Sequence, residues 1–80
     1  MKRNKKAVIW GQSHASFRSL EHCRMEMNYW RDSYNKWRNV LGEANRQKSA
    51  RRKANALKSI AFSRQCLMEW VVAVEIKLGQ

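Results

Sequence analysis

Leu20, Cys23, Met27, Trp30, Tyr34, Trp37 and Leu41 follow one another at alternating spacings of three and four. At that interval side chains return to one face of an α-helix, so the stretch predicts a seam that packs on a partner helix. A helix over 13–41 follows, with Ser13 or Ser16 as its N-cap and Gly42 as its left-handed stop. Asp32 four residues before Lys36, and Glu21 three before Arg24, predict paired charges on the outer face. Continued past Leu41, the same spacing would place Lys48 and Arg51 in the core. A turn within 42–49 avoids that.

A second seam runs through Leu57, Ile60, Arg64, Leu67, Val71, Val74 and Leu78, with Ala50, Ala54 and Ala61 beside it. It predicts a helix over 50–78. Folding it back antiparallel sets Trp37 opposite Ala50, Tyr34 near Ala54, Trp30 opposite Leu57, Met27 opposite Ile60 and Leu20 opposite Leu67. Large side chains then meet small ones near the turn, as close packing requires. Upstream, Ala7–Trp10 is short, apolar and partly β-branched, and reads as a brief strand or extended segment that Gly11 and Gln12 end. The expected fold is all-α: an antiparallel helical hairpin with a short extended N-terminal segment. It forms one small domain, with a basic arm and extended segment over 1–12, helix one over 13–41, a turn over 42–49 and helix two over 50–78.

The rival fold is α+β. Trp70, Val72, Val74, Ile76 and Leu78 also alternate, so Trp70–Leu78 is a candidate strand to pair with Ala7–Trp10 in a β-α-α-β unit. The lack of Gly and Pro between Ala56 and Leu78 favours the helix. As a helix, this end has a second apolar stripe of Phe62, Cys66, Trp70, Ala73 and Ile76. Either the N-terminal segment covers it or two copies of the chain meet across it in a homodimer.

Charge changes the picture from fold to partner. The 80 residues carry 17 Lys+Arg against 6 Asp+Glu, a net charge of +11. Such an excess repels itself in the compact state and is relieved by an anionic partner. Arg46, Lys48, Arg51, Arg52, Lys53 and Lys58 form the largest group, and no acid lies between Ala44 and Met68. Several fall in the first turns of helix two, where the helix dipole disfavours cations. A solvated face is the plain reading of the group. An anion-binding surface explains better why acids are missing from a helix start. Arg24, Arg31 and Arg38 recur every seven residues, about 10 Å apart along one helix edge. They read either as flanking charge or as a ladder along a phosphate backbone. Lys2, Arg3, Lys5 and Lys6 add a basic arm.

The remaining chemistry is sparse. Cys23 and Cys66 stand in helical stretches without a CxxC pair and read as thiols of a reducing compartment. His14, His22, Cys23 and Cys66 lack the spacing of a zinc set. With three glycines there is no phosphate loop, and no paired carboxylates or nucleophile–base pair stand out. Neither a cofactor, a metal nor an enzymatic activity is therefore expected. Trp30 and Trp37 read as core, and Trp10 and Trp70 as packing, stacking or interface residues. The apolar run before Gly11 is too short for a signal h-region or a membrane span, so a cytoplasmic location is expected and membrane binding is not. The first expectation for function is a small regulatory protein that binds DNA or RNA through phosphate contacts. The alternative is an inhibitor or adaptor that docks its basic face on an acidic surface of a larger protein, such as a nucleic-acid-processing machine.

Overall fold

Three capping side chains start the three helices of the described residues. The computed structural model describes residues 4–80, as α1 (Lys5–Phe17), α2 (Leu20–Arg46) and α3 (Ala50–Leu78). The Asn4 side chain caps α1 by accepting from the Ala7 N–H at 2.7 Å. Ser19 caps α2 from the His22 N–H at 3.1 Å, with Glu21 in the first turn where the helix dipole favours an acid. Ser49 caps α3 from the Arg52 N–H at 3.3 Å. The fold is all-α, and the described residues contain no strand.

Two expectations at the N-terminus are corrected. Ala7–Trp10 is helical, and Gly11 and Gln12 lie inside α1 rather than ending an extended segment. Helix one is broken at Arg18 and Ser19, both extended, so Ser13 and Ser16 sit in α1 and cap nothing. The tertiary reason is the second apolar stripe of α3. A helical α1 sets Ala15 and the His14 ring against Trp70 and Ala73 of that stripe and Gly11 against the adjoining Glu69 and Val72, and Ala7, Gly11 and Ala15 are all buried. The α+β alternative falls with the same observation, because Trp70–Leu78 continues α3. Of the basic arm, residues 1–3 lie outside the described residues, Asn4 is the cap, and Lys5 and Lys6 open α1.

The turn falls within 42–49, but Gly42 is not the stop. A helix interior tolerates one glycine at a cost of about 1 kcal/mol, and α2 runs through it to Arg46, which lets Ala44 bury against α3. The stop is a Schellman motif. Ser49 N–H donates to Ala44 O at 3.0 Å and Lys48 N–H to Asn45 O at 3.2 Å, with Lys48 left-handed at φ 55°.

Moving the centre of the turn by a few residues shifts every helix–helix pairing by twice as many. Trp30 therefore packs on Phe62 rather than Leu57, its ring edge-on at 5.5 Å, and the Ser33 and Ser63 hydroxyls meet at 3.0 Å. The α2 seam stands as expected: Cys23 is buried and Leu20, Met27, Trp30, Tyr34, Trp37 and Leu41 are half-buried. The α3 seam stands in part: Val74 is buried and Ile60, Leu67 and Val71 are half-buried. Leu57 is 48% exposed, and Arg64 and Leu78 are exposed too. Ala56, Ser63 and Trp70, at heptad spacing, are buried instead. Small residues at 56 and 63 let the helices approach closely, and the Ser33 partner satisfies the buried Ser63 hydroxyl.

The core sits at one end of the molecule, where α1 joins the hairpin. Ala15, Cys23, Trp70, Ala73 and Val74 form it, flanked by Leu20, Met27, Trp30 and Ile76. His14 stacks on Trp70 with centroids 4.0 Å apart and planes 4° from parallel. A polar strap reinforces the dock. Asn4 donates to Gln65 at 2.9 Å, Gln65 donates to Glu69 at 3.2 Å, and the other Glu69 oxygen lies 3.2 Å from His14 Nε2. α1 thus runs alongside α3, in the same direction, and scarcely touches α2. Within the second stripe, Trp70 and Ala73 are buried inside the chain, Cys66 and Ile76 are half-buried, and Phe62 stays exposed. Cys23 and Cys66 are free thiols, both pushed above the usual range by burial. Lys77 opposes the effect at Cys23, and Glu69 reinforces it at Cys66.

Candidate nucleic-acid interface

The described part of α1 reaches α3 no nearer the turn than the level of Ala61 and Gln65, where Asn4 sits. Beyond that level, among the described residues, α2 and α3 pair only with each other, and the molecule extends to 48 Å along its long axis. This two-helix arm, residues 31–60, gathers the charge. It holds nine of the 17 Lys and Arg and two of the six Asp and Glu.

All six residues of the basic group are exposed. Arg46 ends α2, Lys48 forms the turn, Arg51, Arg52 and Lys53 occupy the first turn of α3, and Lys58 follows one edge of it. Among the described residues none of the six makes an ion pair. Arg52 donates to the neutral Gln47 side chain at 2.8 Å, which holds the guanidinium against the turn without cancelling its charge. The first turn of α3 has no acid. Its unpaired backbone N–H groups add to the positive potential of the tip.

Arg24, Arg31 and Arg38 are exposed along one edge of α2. Arg31 and Arg38 belong to the arm, and Arg38 lies 5.7 Å from the Tyr34 ring centroid, a cation–π distance that steadies it. Arg24 stands nearer the core end. The expected Asp32–Lys36 and Glu21–Arg24 pairs do not close. Glu26 instead accepts from Trp30 Nε1 at 3.2 Å and lies 3.7 Å from His22, and Lys36 sits 5.7 Å from the Trp37 centroid. Sequence reasoning passed over Lys36, although its place beside Trp37 was the available signal.

Lys48 occupies a backbone conformation that glycine adopts freely and lysine does not. Lys48→Gly is therefore expected to raise stability by up to about 1 kcal/mol while weakening polyanion binding. Denaturant melts paired with binding at two salt concentrations test both halves. A less stable glycine variant would show that the lysine side chain is itself structural.

Among the described residues no three His, Cys, Asp or Glu converge to hold a metal ion. No described helix is long and apolar enough to cross a membrane. Fold and surface together define a small three-helix protein with an apolar three-helix end and a cationic two-helix arm. No family model, curated protein or solved structure matches the chain.

Proposed function

We propose that this protein binds nucleic acid through its phosphates, without catalysis, using the tip and edges of the α2–α3 arm. One observation carries the reading: the six cations of the tip are exposed and unpaired among the described residues, and three of them, Arg51, Arg52 and Lys53, stand on a helix start that disfavours positive charge. Phosphates repay that arrangement, since each neutralised contact releases condensed counterions. Arg51, Arg52, Lys53 and Lys48 contact phosphates at the tip, Arg46 and Lys58 flank them, and Arg31 and Arg38 follow the backbone along α2. Arg24 extends the same edge.

Affinity for a labelled oligonucleotide, measured by anisotropy, is expected to fall steeply with salt. Six contacts imply a loss of about a thousandfold between 50 and 200 mM. Changing Arg51, Arg52 and Lys53 together to Ala should lower the slope of log affinity against log salt by about two to three and leave the circular dichroism unchanged. Absence of micromolar binding to DNA and to RNA at low salt removes the proposal. Melting of the triple variant would assign the group a structural role.

A second reading rests on the opposite end. Ile9, Trp10 and Phe17 of α1 are exposed, Phe17 to 79%. An inhibitor or adaptor would set these apolar side chains and the basic arm together on an acidic protein surface. A partner retained after nuclease treatment favours this reading, and one lost favours the first.

A further inference from the structure

An aromatic groove that phosphate binding alone leaves unexplained opens at the base of the arm. Trp30 and Trp37 of α2 and Phe62 of α3 wall a cleft of about 250 Å³ between the two helices. Ser33 and Ser63, joined at 3.0 Å, lie at its base, and Lys58 stands at its rim. Phe62 is 63% exposed, and both indoles are only half-buried. An exposed aromatic wall beside the cationic arm is a poor solution for solubility alone. We propose that this groove takes unpaired bases of a single-stranded nucleic acid, which stack on Phe62 and Trp37 while Lys58, Lys36 and Arg51 hold the adjoining phosphates. The inference rests on the phosphate-binding reading and adds the strandedness of the ligand.

Three features select this occupant. The cleft lies below the roughly 300–1,000 Å³ of sites for drug-sized ligands, which suits a small planar group. Its surroundings are cationic: Lys36 lies 5.7 Å from the Trp37 ring, and Arg51 shares an edge of α3 with Lys58, seven residues on. Two carboxylates are near, but Glu26 is held by Trp30 Nε1 and His22, and Asp32 shares its flank with Lys36. Finally, Trp30 and Trp37 are two helical turns, about 10 Å, apart, so the groove follows the arm rather than closing into a pocket. Bases in a duplex are stacked on each other and offer no free face. Those of a single strand do, and aromatic side chains accept them with little regard to sequence.

The test titrates the full chain with three oligonucleotides of equal phosphate count: a twelve-residue thymidine strand, its abasic counterpart and a duplex. Tryptophan emission is read alongside affinity. The thymidine strand is expected to quench emission and to bind about tenfold tighter than the abasic strand. Phe62→Ala, at an exposed position, should reduce that advantage to near unity while leaving abasic binding unchanged, and Phe62→Trp should restore it. Equal binding of thymidine and abasic strands without quenching overturns the groove and leaves the phosphate reading standing. So does a Phe62→Ala variant that keeps the full advantage. Failure of all three to bind at low salt removes both proposals.

Discussion

Trp70→Ala is expected to cost about 3–5 kcal/mol, the usual toll for deleting a buried aromatic side chain. Trp70 is 9% exposed and is the element that all three helices share. The α1 imidazole of His14 stacks on one face at 4.0 Å, and the α2 imidazole of His22 meets it edge-on at 5.6 Å. Ala15 and Cys23 pack in the same cluster. Truncation removes the ring and leaves a cavity bounded by three backbones that cannot all collapse inward. For a chain of 80 residues, whose whole stability is about 4–12 kcal/mol, that loss is enough to unfold much of the population. Trp30→Ala is the control. Its ring is half-buried and its Nε1 is held within its own helix by Glu26, so about half the cost is expected. Urea melts followed at 222 nm measure both. A loss under 1 kcal/mol at Trp70, or equal losses at the two sites, would contradict the packing.

Gly11→Ala is expected to destabilise the fold, and Gly42→Ala to stabilise it. Alanine is the better helix former by about 1 kcal/mol at either position, so neighbours decide the sign. At Gly11 an added Cβ would lie 2.5 Å from Val72 Cγ1, 2.6 Å from Val72 Cβ and 2.8 Å from the Glu69 carbonyl oxygen. Carbon atoms pack at about 3.5–4.0 Å. Rotating the valine relieves the first contact only, because the other two atoms are fixed to the α3 backbone. α1 must lift away, which loosens the His14–Trp70 stack and the Asn4–Gln65 strap. A net loss of about 1–3 kcal/mol follows. At Gly42 the nearest atom is Arg46 Nη1 at 3.7 Å, the end of a flexible side chain. The helix-propensity gain then stands nearly whole. Hydrogen exchange should show α1 deprotected in the first variant and unchanged in the second. Stabilisation by both substitutions would mean that α1 does not dock as described.

What the candidate site owed to sequence follows from the same residues. Arg46, Lys48, Arg51, Arg52, Lys53 and Lys58 were legible because no acid lies between Ala44 and Met68, and local pairing needs local partners. Phe62 was legible as an unplaced apolar residue of the second stripe. Its meeting with Trp30 and Trp37 was not, because it depends on the register of two helices.

The chain alone pointed to helices from 20 onward, with Trp70–Leu78 open to a strand, and to the buried face of α2, the turn between 42 and 49 and the outward cations. These follow from periodicity and charge, which act over a few residues. Only the tertiary structure decided that Ala7–Trp10 is helical, that Gly11 marks a close crossing while Gly42 marks nothing, and that Ser63 rather than Leu57 faces α2. A four-residue apolar run has no period of its own, and a glycine's role lies in what approaches it. Both were settled by α3, against whose Glu69–Ala73 segment α1 packs.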